Sequence, residues 1–185
     1  MTPSRRPSPF RIWPAAFCMA AGVVVIMPAA ADAGVLSKAS RIGPTGIGPI
    51  VFGMTPAQAA ATRTRLVAMK PARGSTCFYL RTSTVSGVLL MVEHGTIRRA
   101  EVKTRGLRTT DGFQVGDARA KIEAFYGSRA RAVPEKYDLS AQRITILPKG
   151  PADAKFRMAF IVRGGTVQAI IAGALPQVTY VEGCS

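Results

Sequence analysis

Histidine is almost absent from this chain, acidic residues are few, and no cysteine pair has metal-ligand spacing. There is one His, three Cys and ten Asp or Glu against 25 Lys or Arg in 185 residues. Each scarcity closes a class of chemistry. A hydrolytic triad needs a nucleophile, a base and an orienting acid. His94 is the sole imidazole, and it falls at a predicted turn, Glu93-His94-Gly95-Thr96, whose later counterpart carries Gly164. It reads as a turn residue rather than a catalytic base. A metal site needs several Cys, His or clustered carboxylates, and Glu93, Glu101, Asp111 and Asp117 are dispersed. Gly43, Gly46 and Gly48 are spaced loosely like a nucleotide fingerprint, but no strand-turn-helix of the right order encloses them. No enzyme activity, cofactor or metal is expected.

What is present begins with a leader. Arg5, Arg6 and Arg11 precede an apolar run from Ala15 to Met27, and Ala31-Asp32-Ala33 offers a cleavage site. That is the pattern of a secretory signal peptide over residues 1–33. The run is shorter than the ~20 residues of a spanning helix, so no transmembrane anchor is expected once the leader is removed. A periplasmic or secreted protein follows. The remaining 152 residues suffice for one domain, or two small ones sharing a core. They hold 22 Lys or Arg against nine acids, a net charge of +13. Such a surface attracts anionic lipid, lipopolysaccharide phosphates or an acidic protein. Nucleic acid is excluded by the export signal and the absence of a recognition motif. Cys77 and Cys184 survive the leader as an even pair in an oxidising compartment, where a disulfide is expected.

The stretch Gly48-Pro49-Ile50-Val51-Phe52-Gly53-Met54-Thr55-Pro56-Ala57-Gln58 organises the rest. Gly53 supplies a sharp turn. Thr55, Pro56 and Gln58 then make a helix start with a capping box. The spacing predicts a helix from Pro56 to about Met69, stopped by Pro71. The pattern returns 63 residues later around Gly116, so that Ile50, Phe52 and Ala59 map onto Phe113, Val115 and Ile122. Asp117 is the expected cap of a second helix that ends at Gly127. Residues 87–103 read as a β-hairpin turning at His94-Gly95. An echo over 159–170 turns at Gly164-Gly165, 70 residues later. Further strands are expected over Arg143–Leu147 and Pro176–Val181. Two echoes in the same order predict an α+β fold: two tandem repeats, each a helix packed on an antiparallel sheet, joined by the disulfide. The divisions are an irregular arm over 34–45, a first α/β repeat over 46–109 and a second over 110–185.

Phe52-Gly53-Met54-Thr55 followed by a helix, and repeated with a hairpin-rich sheet, resembles the tandem-repeat β-lactamase-inhibitor proteins. It also looks like the single-repeat, small outer-membrane assembly lipoproteins. The whole mature chain is similar to small exported bacterial proteins of unassigned function that share Phe-Gly-Met-Thr and a tail like Tyr180-Val181-Glu182-Gly183-Cys184. The resemblance implies helices on an antiparallel sheet and, for the inhibitors, binding through the exposed sheet face. The inhibitors' contact residues have no counterparts here.

Charge is therefore the one feature left to carry function. Arg98, Arg99, Lys103 and Arg105 lie on and after the first hairpin and are the candidate residues for an anionic partner. Strand alternation predicts Arg99 and Lys103 exposed on one face, with Arg98 at the edge, its stem packed and its charge in water. The expectation is a monomeric, non-enzymatic binding module for an envelope component or a protein partner. A protein inhibitor of an extracytoplasmic enzyme is the alternative.

Overall fold

The computed structural model describes residues 34–71 and 73–184. The predicted leader over 1–33 lies outside the described residues. The arm is less irregular than its composition suggested. It contains β1 (Arg41–Gly43), which pairs antiparallel with β2 (Gly46–Ile47), itself paired with β3 (Ile50–Val51). Leu36 is fully buried, and its N–H donates to Thr64 Oγ1 at 3.1 Å.

The turn that follows forms as its residues require. Gly53 has φ +104°, a conformation open to glycine. Thr55 caps α1 (Pro56–Ala61) through the reciprocal capping box with Gln58, and Pro56 takes the first turn. The helix is far shorter than the predicted 56–69. Thr62 Oγ1 donates to Ala59 O and also contacts Thr64 Oγ1. These local bonds compete with the helical ladder, and Arg63 adopts φ +63°. The chain continues as β4 (Leu66–Ala68), whose Leu66 and Val67 pair with Thr82 and Arg81. Sheet pairing overrides the helical period read from those residues.

Next come β5 (Cys77–Thr82), β6 (Val88–Glu93) and β7 (Thr96–Val102), then the short β8 (Arg108–Thr109), which pairs parallel with β1. After α2 (Arg119–Tyr126) the chain forms β9 (Ala130–Glu135), β10 (Asp138–Ile146), β11 (Phe156–Arg163) and β12 (Thr166–Ala174). The large sheet has the order β4-β5-β6-β7-β12-β11-β10-β9, antiparallel throughout. The small sheet has the order β3-β2-β1-β8. The described part is mostly sheet with few helices, bridged by the Cys77–Cys184 disulfide, so α+β fits only loosely. The helices contribute only Ala59, Ile122 and Tyr126 to the buried set.

The two hairpins, β6–β7 and β11–β12, share their details. Their turns, His94-Gly95 and Gly164-Gly165, have all four φ values positive, between +50° and +76°, as a two-residue type I′ connection demands. Both ladders slip at the same place, Met91/Val92 in one and Ile161/Val162 in the other. Each glycine turn docks on its hairpin through paired backbone bonds. Gly53 N–H donates to Ile97 O and Ile97 N–H to Met54 O. Gly116 N–H donates to Val167 O and Val167 N–H to Asp117 O. One apolar cluster runs through both halves, joining Leu36, Ile42 and Ile50 to Leu90, Val102, Phe160 and Ile170.

Two further expectations are corrected. The N-cap of α2 is Ala118, with no side-chain bond, because the Asp117 carboxylate turns back to accept from Gln114 N–H at 2.8 Å. Gly127 does end that helix, at φ +53°. The predicted strand over Pro176–Val181 is instead a 3-10 turn at Gln177–Thr179. By that point β12 already has a neighbour on each side, so this segment has no free edge to join there. The expected strand at Arg143–Leu147 falls within β10, apart from Leu147 just beyond its end.

Candidate functional site

Residues 175–184 form a strap that crosses the face of the large sheet turned away from the core. Alternation along β7 sends Ala100 and Val102 into the core and Arg99 and Glu101 to the strap side. Arg99 is only 3% exposed. Its Nη1 donates to Gln177 O at 3.1 Å and Tyr180 O at 2.6 Å, and its Nη2 meets Glu101 Oε1 at 2.7 Å. A buried guanidinium needs this many acceptors to offset its desolvation. Tyr79, on β5, donates to the same Glu101 oxygen at 3.1 Å. Burial first, and the Glu101 charge second, push the Tyr79 phenol up to about 12. Farther along, Gln177 Nε2 donates to Glu93, and Arg143 Nη1 donates to Val178 O at 3.3 Å while its Nε pairs with Glu135 at 2.9 Å. The strap ends at Cys184, bonded to Cys77 with Cα atoms 5.3 Å apart. The expected disulfide is present.

The four candidate cations separate. Arg99 is not exposed beside Lys103 as predicted; it is a buried fastener for the strap. Parity along the strand was right, since both side chains reach Glu101, with Lys103 Nζ 3.4 Å from Oε2 and its side chain 57% exposed. Alternation alone leaves this face open, and the 175–184 strap is what covers Arg99. Arg98 is half-buried, and its Nε is buried without a hydrogen-bond partner. The exposed Arg105 covers the Gly116 turn, where an added Cβ would come within 2.8 Å of its guanidinium. Sequence reasoning passed over Glu101 and Tyr79. The signal available was the spacing Arg99, Glu101, Lys103, a charge ladder on one face of a predicted strand.

Beside the strap lies a groove of about 460 Å³. Ala141, Ile161 and Val181 give it apolar surface, and Tyr137, Glu135 and Arg163 stand around it. Tyr137 is 63% exposed and Leu139, on the same hairpin, 84%. Tyr137 Oη bonds Glu182 of the strap, and Lys136 Nζ pairs with Glu182 at 3.7 Å.

Most carboxylates of the described residues are engaged internally. Eight of the nine accept from a neighbour: Glu93 from Gln177, Glu101 from Arg99, Asp111 from Tyr126, Asp117 from Gln114, Glu123 from Arg119, Glu135 from Arg143, Asp138 from Ser140 and Glu182 from Tyr137. Of the 22 lysines and arginines over the same residues, six form ion pairs. Sixteen cations are left with no carboxylate partner. No group of three or more Cys, His, Asp or Glu among the described residues is placed to hold a metal. No helix among them is long and apolar enough to cross a membrane. Comparison with protein-family models, with curated proteins and with solved structures gives no match.

Proposed function

We propose that this protein is an exported, non-enzymatic binding module whose partner is an anionic envelope component or an acidic protein surface. The observation that carries this reading is the charge imbalance: eight of the nine acids are engaged within the fold, while sixteen cations have no carboxylate partner among the described residues. A surface of that kind raises the local concentration of negative partners and speeds their capture. Export to the periplasm or beyond is supported by the leader pattern and by the disulfide. The tandem duplication is supported by the matching turns, slips and backbone docking of the two hairpins, although the helices are small. Lys103 and Arg105 stay as candidate contacts, and Arg99 is removed from that set.

Binding of the protein to vesicles of phosphatidylcholine with and without phosphatidylglycerol tests the envelope reading. The expected result is binding only to the anionic vesicles, weakening as salt screens the charges. Absence of binding at low salt would overturn that half of the proposal. The exposed Tyr137 and Leu139 beside a groove of mixed apolar and charged lining favour a protein partner as the second reading, and with it inhibition of an extracytoplasmic enzyme. Under that reading, Leu139→Ser abolishes capture of the partner without changing vesicle binding.

A further inference from the structure

A second cavity is lined by none of the strap residues. It is bordered by the turn after β1, the end of α2, the end of β10 and the start of β11, and it encloses about 170 Å³. On one side Tyr126, 4% exposed, donates to Asp111 Oδ2 at 2.7 Å. Burial and the neighbouring Asp111 hold this phenol well above its ordinary range, so it stays neutral and keeps donating. Ile146, Phe156 and Met158 supply apolar wall.

Three cations also line the cavity: Arg129, Lys149 and Arg157. The Arg129 guanidinium sits 5.2 Å from the Tyr126 ring centroid, and its Nη1 donates to Leu147 O at 3.2 Å. Arg157 Nη1 donates to Ala154 O at 2.8 Å and Phe156 O at 2.7 Å. Each guanidinium is thus anchored by one nitrogen to main-chain carbonyls, leaving its other N–H groups to donate elsewhere. Among the described residues, none of the three cations has a carboxylate within ion-pair distance. Asp111 and Asp153 line the cavity too, but the Asp111 carboxylate already accepts from Tyr126. The balance is three cations against two carboxylates, one of them occupied.

We infer that this cavity binds a small amphiphilic anion, its carboxylate or phosphate head between Arg129, Lys149 and Arg157 and its apolar body against Ile146, Phe156 and Met158. Two anchored guanidiniums are suited to a planar or tetrahedral oxyanion, because their donors are already oriented. The volume lies below the roughly 300–1,000 Å³ of sites for drug-sized ligands, so the ligand is fragment-sized or presents only its end. Arg129, Lys149 and Arg157 are three of the sixteen cations counted above, but the cavity is distinct from the candidate contacts Lys103 and Arg105, and the soluble-ligand titration below reads it apart from vesicle binding.

Nuclear magnetic resonance titrations with benzoate, phenyl phosphate and benzyl alcohol test the inference. At least one of the two anions should give saturable shifts at the amides of Tyr126, Ile146 and Arg157. Whichever binds more tightly identifies the head group. Benzyl alcohol should bind about tenfold more weakly or not at all, since it lacks the charge. Arg157→Gln should weaken the anion about tenfold, with Lys149→Gln as the second variant if the first does not fold. Lys121→Gln, on α2 but outside the cavity, should change nothing. No saturable shift with either anion, equal binding of the alcohol, or a folded Arg157→Gln protein with unchanged affinity would each overturn the proposal.

Discussion

The hairpins β6–β7 and β11–β12 have the same turn, ladder slip and register, yet present opposite chemistry to the strap. Where the first carries Arg99, Glu101 and Lys103, the positions 70 residues later are Ala169, Ile171 and Gly173. The first is a charged hook; the second is a small apolar bed. Their strands adjoin, with Glu101 opposite Ile171 and Arg99 opposite Gly173. A Cβ at Gly173 would come 2.5 Å from Arg98 O and 2.9 Å from Arg99 Cα, so the hook requires glycine beside it. One backbone plan thus supports two roles. The difference lies in side chains on a single face, while the core-facing positions Ala100 and Val102 remain apolar at Ile170 and Ala172.

The most direct way to break this comparison is to make the first hairpin resemble the second. Arg99→Ala places alanine where the later hairpin has Ala169. It leaves Glu101 buried without its guanidinium and two strap carbonyls without a donor. The expected loss is about 3–5 kcal/mol of unfolding free energy in urea. Lys103→Ser, on the same face but exposed, should cost less than about 1 kcal/mol. A loss as small for Arg99 as for Lys103 would mean that the hook contributes no more than a surface charge.

Replacing Cys77 and Cys184 together by Ser asks whether the hook holds the strap unaided. The expected cost is about 2–4 kcal/mol, with faster hydrogen exchange at residues 177–184 and little change at β11 and β12. Strap exchange equal to that of the disulfide-bonded protein would show that Arg99 suffices. A further effect concerns pH. Tyr79 has a folded pKa raised from 10.0 to about 12, so its neutral form is favoured in the fold. That contribution is full below pH 10 and is lost as pH rises towards 12. Thermal melts should therefore fall through this window, and Tyr79→Phe should flatten the fall.

The parts of the fold written in local chemistry were legible. The Gly53 turn, the Thr55–Gln58 capping box, the paired glycine turns and the cysteine pair all depend on residues near one another or on simple cysteine counting. What escaped depended on where a distant segment goes. Leu66 and Val67 continue a helical period, but the sheet offers Thr82 and Arg81 as pairing partners. Val178 and Tyr180 alternate as a strand does, but no edge is free beside β12. Alternation along β7 leaves Arg99 exposed, and only the strap that carries Val178 and Tyr180 buries it. In the sequence, Arg99 and Lys103 are equivalent basic residues two positions either side of Glu101. Only the path of the strap makes one a buried fastener and the other a surface charge.

The bond between Cys77 and Cys184 also decides how the molecule carries tension. It encloses a sequence separation of 107 residues. A pull between the chain before Cys77 and the chain after Cys184 passes directly across the sulfurs. Strands β1 to β3, α1 and β4 lie in series with that load, whereas the chain from β5 to β12 is bypassed. Stretching the oxidised protein would therefore peel away only the segment ahead of Cys77, and the remaining sheet would yield only after reduction. A protease cut within the bypassed stretch would likewise leave both pieces on one covalent thread.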